Sequence, residues 1–187
     1  MNKDIVIETE RLILRQWNMN DINDIVEWLN NINITKWLAG APFPYTEKDA
    51  KEFVQHTIDS DLFNLAIILK NENKAIGGTQ ISNINKTYGT AGGGIWINEK
   101  YQGFGYGSEA FRARIKYAFE VLGLRRLENG YFKGNEKSHQ MQLKFGYKDE
   151  GIKRKRFISK ATGKIEDEYI TGLLKEEFVD TTKIKEQ

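Results

Sequence analysis

The sequence predicts an α+β domain, and three observations predict it. Hydrophobic residues make up 40% and charged residues 29% of the 187, the balance of an ordinary globular chain with a real core. Three β-type runs follow one another before the longest helical run, which argues against the strand–helix alternation of a doubly wound sheet. The apolar period switches along the chain in the order β-α-α-β-β-β-α-β-α-β-β, with no linker, repeat or low-complexity segment between elements. One domain, 1–187, is expected, with its core at about 8–178 and a charged C-terminal tail at 179–187.

The elements follow in order. Residues 11–15 alternate around Leu12 and Leu14 and predict a first strand. Ile22, Ile25, Val26 and Leu29 share one helical face over 21–29, with Asn18 and Asn20 as candidate caps. Residues 36–45 hold Trp37, Phe43, Tyr45 and both prolines, and read as an ordered apolar loop. Thr46 then caps a second helix that buries Ala50, Phe53, Val54, Thr57 and Ile58. Residues 62–69 and 74–81 are β-type runs, and Asn71-Glu72-Asn73 between them predicts a hairpin. A third run, 94–97, follows the triplet Gly92, Gly93 and Gly94. The main helix spans 108–122, buries Phe111, Ile115, Ala118, Phe119 and Leu122, and ends at Gly123. A strand at 125–132, a short helix at 135–145 capped by Asn135, and strands at 147–158 and 168–174 complete the order. The turn between the last two is Ala161-Thr162-Gly163-Lys164, and fraying is expected after Lys175.

Several functional classes are excluded or disfavoured. The formal net charge is +2, so no global field draws the chain to nucleic acid or membrane, and neither partner is expected. Cysteine is absent, which rules out disulfides, thiolate metal sites and a cysteine nucleophile and fits a cytoplasmic location. The polar N-terminus does not read as a signal peptide, and no apolar run approaches a membrane span. The histidines, His56 and His139, lack metal-ligand spacing, so no metal is expected.

The informative segment is Gln102-Gly103-Phe104-Gly105-Tyr106-Gly107, between a strand and a helix. Glycine permits positive φ and close approach of the backbone to a ligand. The helix that follows points free N–H groups and its positive end at that ligand, an anion site suited to a pyrophosphate. No Gly-Lys-Ser/Thr is present, and Gly-x-Gly-x-x-Gly fails from either Gly103 or Gly105, so neither a triphosphate loop nor a dinucleotide fingerprint fits.

Gln102-x-x-Gly105-x-Gly107 resembles the Gln/Arg-x-x-Gly-x-Gly/Ala signature of the GNAT N-acetyltransferases. Other pieces resemble the RimJ/RimL-like branch, which acetylates protein N-termini. They are Thr9-Glu10-Arg11-Leu12-Ile13-Leu14-Arg15, Gly94-Ile95-Trp96-Ile97, Gly107-Ser108-Glu109-Ala110, and Asn135-Glu136-Lys137-Ser138 with Phe145-Gly146-Tyr147 and Glu150-Gly151. The resemblance runs from about Glu8 to Phe178. It implies a single mixed, mostly antiparallel twisted sheet flanked by helices, acetyl-CoA as co-substrate, and an amine acceptor. It also implies that Gln102, Gly103, Phe104, Gly105, Tyr106, Gly107 and Ser108 hold the CoA pyrophosphate. Main-chain groups of Ile95, Trp96 and Ile97 would pair with the pantetheine arm, and the N–H of Ile97 or a neighbour would face the thioester oxygen. Asn135 would bond the pantetheine amide, a role compatible with its being a helix cap. Ser138 would protonate the departing thiolate; otherwise it is plain helix surface.

The base is the gap. Some family members carry a carboxylate on the strand after Glu-Gly, but here Ile152-Lys153-Arg154-Lys155-Arg156-Phe157 brings no acid before Glu166. Gln142 stands where many GNAT enzymes place an acid tyrosine. His139 points away from Ser138 around the helix. Trp17, Trp28 and Trp37 read as core, with the alternative that Trp37, Leu38, Phe43 and Tyr45 wall an acceptor groove. Lys153 to Arg156 would divide between two strand faces and form a solvated edge. The expected activity is direct acetyl transfer to a primary amine, foremost the α-amine of a protein such as a ribosomal protein. A polyamine or aminoglycoside acetyltransferase, or a silent acyl-CoA-binding module, is the alternative, in a monomer or homodimer.

Overall fold

A computed structural model describes residues 5–60 and 63–180, so the expectations for Leu62, the first four residues and the tail beyond Asp180 lie outside the described residues. Two short strands open the chain, β1 (Val6–Glu8) and β2 (Leu12–Gln16), where one was expected. The extra strand forms because Ile7 pairs with Leu14 and packs on the core, and three residues are too few to announce a period. Asn18 caps a single 3-10 turn, and α1 (Ile22–Leu29) follows. A four-residue helix, α2 (Ile32–Thr35), precedes the apolar loop and was likewise too short to predict. Thr46 caps α3 (Glu47–Asp59) as expected, accepting from the Asp49 N–H while Asp49 closes a capping box.

β3 (Phe63–Leu69), β4 (Lys74–Asn85) and β5 (Thr90–Ile97) form an antiparallel meander. The glycine triplet lies inside β5 rather than ahead of it. α4 (Tyr106–Lys116) is continued by a π turn over Tyr117–Val121, closed by Leu122 N–H to the Tyr117 carbonyl at 3.0 Å. β6 (Arg126–Phe132), α5 (Glu136–Lys144), β7 (Lys148–Ile158) and β8 (Ile165–Leu174) complete the chain.

Among the described residues, eight strands make one sheet in the order β1-β2-β3-β4-β5-β6-β8-β7. Every neighbouring pair is antiparallel except β5 and β6, which run parallel and pair only at Thr90 with Arg126 and Ala91 with Leu127. Beyond those two rungs the sheet opens into a cleft. α4 and the π turn that continues it cover one face, burying Phe111, Ile115 and Phe119 in one core with Leu12, Leu14 and Ile67. α1 and α3 cover the other, burying Ile25 and Val54 beside Trp17 and Trp28. Each such side chain contributes roughly 1.5–3 kcal/mol by leaving water.

Arg114 sits under the opening and is 1% exposed. Its Nη1 donates to the Gln80 carbonyl at 3.1 Å, and its Nη2 to Asn129 Oδ1 and the Tyr147 hydroxyl, each at 3.3 Å. The guanidinium thus ties β4 to β6 beneath β5. Gly93 makes room for it, since a Cβ there would lie 2.4 Å from Nη1. Helical period alone gives no hint of this buried cation.

The expected fraying after Lys175 fails through Asp180. Phe178 packs on Phe145 and Phe119, Val179 N–H donates to the Phe145 carbonyl, and Asp180 pairs with Arg112 at 2.5 Å. An aromatic residue among charges is enough to dock the strand end. No helix among the described residues is long and apolar enough to cross a membrane.

Candidate active site

The cleft between β5 and β6 continues into a cavity of about 1660 Å³ that reaches the start of α4 on one side and α3 on the other. One end is built around the glycine loop. Gly103 and Gly105 adopt φ of 87° and 84°, left-handed values that suit glycine. Gly105 precedes α4, and no side chain caps that helix, whereas Thr46 and Asn135 cap α3 and α5. The first bond of α4 runs from Glu109 N–H to the Gly105 carbonyl at 3.0 Å. The N–H groups of Tyr106, Gly107 and Ser108 therefore precede the helical ladder and are left for a ligand.

The loop is braced from behind. Arg11 Nη1 donates to the Phe104 carbonyl at 2.9 Å, its Nε pairs with Glu109 at 2.7 Å, and its guanidinium lies 4.5 Å from the centre of the Tyr106 ring. Burial pushes the Glu109 carboxyl up, but hydrogen bonds from Thr9 and from the backbone and side chain of Arg11 hold it below its ordinary value. Gln102 closes the loop's near side, donating to the Ile97 carbonyl and accepting from Lys137 Nζ, both at 3.0 Å. The expected pyrophosphate residues thus come together at one helix start. Phe104 is the outlier, its ring 63% exposed while its carbonyl serves Arg11.

The open edge of β5 lies beside this loop. Asn98 N–H bonds the Ile76 carbonyl of β4, and in an antiparallel ladder the N–H and C=O of each residue point the same way, alternating along the strand. Ile95 and Ile97 consequently present their backbone groups to the cleft. Trp96 turns its own towards β4, which corrects its expected place beside Ile95 and Ile97 on the binding edge. Its ring joins a buried aromatic stack, 5.7 Å from Trp17 and 4.0 Å from Trp28.

Asn135 caps α5 by accepting from the Ser138 N–H at 3.3 Å, and both residues line the cleft. Gln142, one turn on and buried, donates from Nε2 to Ser138 Oγ at 3.0 Å, and its Oε1 accepts from the Thr171 hydroxyl. Since Ser138 Oγ is already an acceptor here, its own proton is free to point into the cleft. His139 turns away, stacking on Tyr131 at 4.7 Å and bonding Asp149 at 2.9 Å. His56 is exposed on α3.

The other end of the cavity is assembled from distant elements. Trp37, Leu38 and Tyr45 line it, Trp37 standing apart from the Trp17–Trp28 pair, while Phe43 faces solvent. The basic run lies on a solvated edge strand as expected, but its side chains do not alternate regularly between the two faces. Lys153 pairs with Glu168 in register and Phe157 with Glu166, so four steps of β7 oppose two of β8. Lys155 takes φ of 51° in this bulge, its N–H bonding Asp167 at 2.6 Å. Lys153 and Arg156 therefore both face the cleft, where they meet Glu128 and Glu168. Glu168 is the residue that sequence reasoning missed. It is reached only through strand pairing, and the signal for it was at most its place on an alternating strand.

A family model described as "Acetyltransferase (GNAT) domain" matches residues 11–148. The chain is 30% identical over 175 residues to the uncharacterized N-acetyltransferase YnaD of Bacillus subtilis, covering 92% of this chain and 98% of that one. It is 29% identical over 174 residues to the uncharacterized N-acetyltransferase p20 of Bacillus licheniformis, covering 91% and 96%. The crystal structure of a GNAT-family acetyltransferase from Bacillus anthracis superposes with a TM-score of 0.81 at 28% identity, covering 92% of this chain and all (100%) of that one. The family model spans most of the chain, and these relatives cover it nearly end to end, so the chain belongs to the GNAT acetyltransferase family.

Proposed function

We propose that the protein transfers acetyl from acetyl-CoA to the N-terminal α-amine of a protein, such as a ribosomal protein, by direct attack in a ternary complex. The supporting observation is the charge balance of the acceptor end. Glu128 pairs with Lys153 at 3.1 Å, and Arg156 stands 3.9 Å from Glu168, close enough to offset its charge without bonding it. A polyamine or aminoglycoside carries several positive charges and is best held by an unmatched acidic groove. A single amine at the end of a peptide needs none. At 22% and 21% identity, a ribosomal-protein-S5-alanine acetyltransferase from Vibrio fischeri and a spermidine N-acetyltransferase from Vibrio cholerae share only the fold with this chain. The side chains of the cleft, rather than the fold, select the acceptor.

Acetyl-CoA supplies the activated thioester. In this reading the N–H groups of Tyr106, Gly107 and Ser108 hold its pyrophosphate, and the open edge of β5 at Ile95 and Ile97 pairs with the pantetheine arm. The Ile97 N–H donates to the carbonyl oxygen as negative charge builds there. Asn135 bonds a pantetheine amide, and the Ser138 hydroxyl gives a proton to the departing sulfur.

The attacking amine must be neutral. A peptide α-amine with pKa ~8 is about a tenth neutral near pH 7, while a lysine-like amine with pKa ~10.4 is below a thousandth. That difference favours the α-amine by roughly two powers of ten before binding contributes. A panel of peptides with free or capped N-termini, each carrying one lysine, and of spermidine tests this reading. Capping the N-terminus should abolish turnover, and kcat/KM for the free peptide should rise to a plateau near pH ~8. A capped peptide or spermidine proving the better acceptor overturns the α-amine assignment.

A further inference from the structure

Of the acidic residues that line the cleft, Glu128 on β6 and Glu168 on β8 come from the strands across the gap from β5, and they are not equivalent. Extending the β5–β6 register past Ala91 and Leu127 brings Gly94 level with Gly130, so glycine faces glycine across the gap. The space that a Gly130 side chain would fill is taken by Glu168. A Cβ there would lie 2.2 Å from Glu168 Oε1 and 2.7 Å from its Cδ and Cγ. Gly130 is thus the seat over which Glu168 reaches from β8 towards the cleft.

Glu128 stands one side-chain step away, but its carboxylate is 45% exposed and pairs with Lys153 at 3.1 Å and Arg126 at 3.6 Å. The Glu168 side chain is 19% exposed, and its cation contact is Arg156 Nε at 3.9 Å, beyond hydrogen-bond reach. Among the described residues, none donates a hydrogen bond to it. A largely buried carboxylate with free lone pairs, lying on Gly130 in the wall of the cleft, is placed to accept a proton.

We propose that Glu168 is the general base of the reaction, taking the proton from the attacking amine directly or through one water. The inference rests on the acetyltransferase reading of the cleft and not on the choice of acceptor. As the N–C bond forms and the C–S bond breaks, the proton leaving nitrogen goes to Glu168 and the sulfur takes the proton of Ser138. Return of a proton from Glu168 to Ser138 through solvent restores both groups. Burial raises the Glu168 carboxyl above its ordinary value, Lys153 and Arg156 lower it, and Glu128 raises it again. The net rise brings a carboxylate closer to the strength that proton abstraction near neutral pH requires.

Glu168→Gln keeps the shape and removes the base. With the amine that wild type uses best, kcat at pH 7 should fall ~10²-fold while the acetyl-CoA Kd stays within about twofold, and the deficit should shrink towards pH ~9.5 as hydroxide replaces the carboxylate. Glu168→Asp should recover part of the loss. Gly130→Ala displaces the carboxylate without changing it, so it should lower kcat in wild type and add nothing in the Glu168→Gln background. If Glu168→Gln fails to bind acetyl-CoA, Gly130→Ala and Glu168→Asp decide. Glu168→Gln retaining more than half its turnover at pH 7, or Gly130→Ala costing as much with and without Glu168, overturns the assignment. A wild type that prefers a polyamine defeats the α-amine reading and leaves Glu168 standing; a wild type that turns over no amine defeats both.

Discussion

The proposed donor end of the cleft is made from the end of β5, the loop Gln102 to Ser108 that follows it and the first turn of α5, whereas the acceptor end draws on α3, the loop before it, β6, β7 and β8. Apart from the Asn135 and Ser138 side chains, the donor end offers backbone groups: uncapped N–H groups at α4, a strand edge at β5, and glycines that allow the loop its shape. The acceptor end acts through side chains, among them Trp37, Glu128, Lys153, Arg156 and Glu168. Backbone recognition tolerates few sequences, because it fixes dihedral angles. Side-chain recognition changes with each substitution and leaves the fold alone. One end therefore suits a constant ligand and the other a variable one.

Substitutions at each end can break that comparison. The largest expected effect is at their junction. On the proposed role of Ser138 as the acid, with Gln142 holding its oxygen, Ser138→Ala should lower kcat ~10²-fold with little change in KM for acetyl-CoA. Steady-state kinetics at saturating acceptor measures it, and a variant with most of its turnover would leave Ser138 a helix residue.

A smaller effect belongs to the donor end alone. Gly105→Ala places a side chain at φ of 84°, with its Cβ 3.3 Å from Arg11 Nη2. Acetyl-CoA binding should weaken at least ~tenfold, about 1.4 kcal/mol. Gly107 has no such φ, and a Cβ there meets Ile97 and Met141 at 3.4 and 4.0 Å, ordinary contacts. Gly107→Ala should therefore shift Kd by less than ~threefold. Calorimetry separates the two, and equal affinities for Gly105→Ala and wild type would refute the backbone account of the donor end.

The smallest effect sharpens the acceptor side. Trp37→Ala removes an apolar wall of the cleft and should raise KM for the peptide acceptor about fivefold, with the acetyl-CoA Kd unmoved. An equal change in both constants would show that the two ends are not separable.

What the sequence by itself determined was whatever depends on neighbours in the chain. Thr46 and Asn135 cap their helices, Gly103 and Gly105 take left-handed angles, and α4 begins where the glycine loop stops. These are outcomes of sterics and hydrogen bonds within a few residues, so spacing records them. The α+β order and the single mixed sheet followed from periodicity and family resemblance in the same way. Tertiary structure decided the rest. Arg114 is buried because Gly93 leaves space beneath β5, thirteen residues of meander and loop earlier in the chain than a helical wheel can look. Lys153 and Arg156 share a face because a bulge at Lys155 breaks the alternation on which the expected division relied. Glu168 reaches the cleft because β8 inserts between β6 and β7, out of chain order, and because Gly130 leaves its place empty. Each of these is a contact between residues whose separation along the chain carries no period, and only the packing of the sheet brings them together.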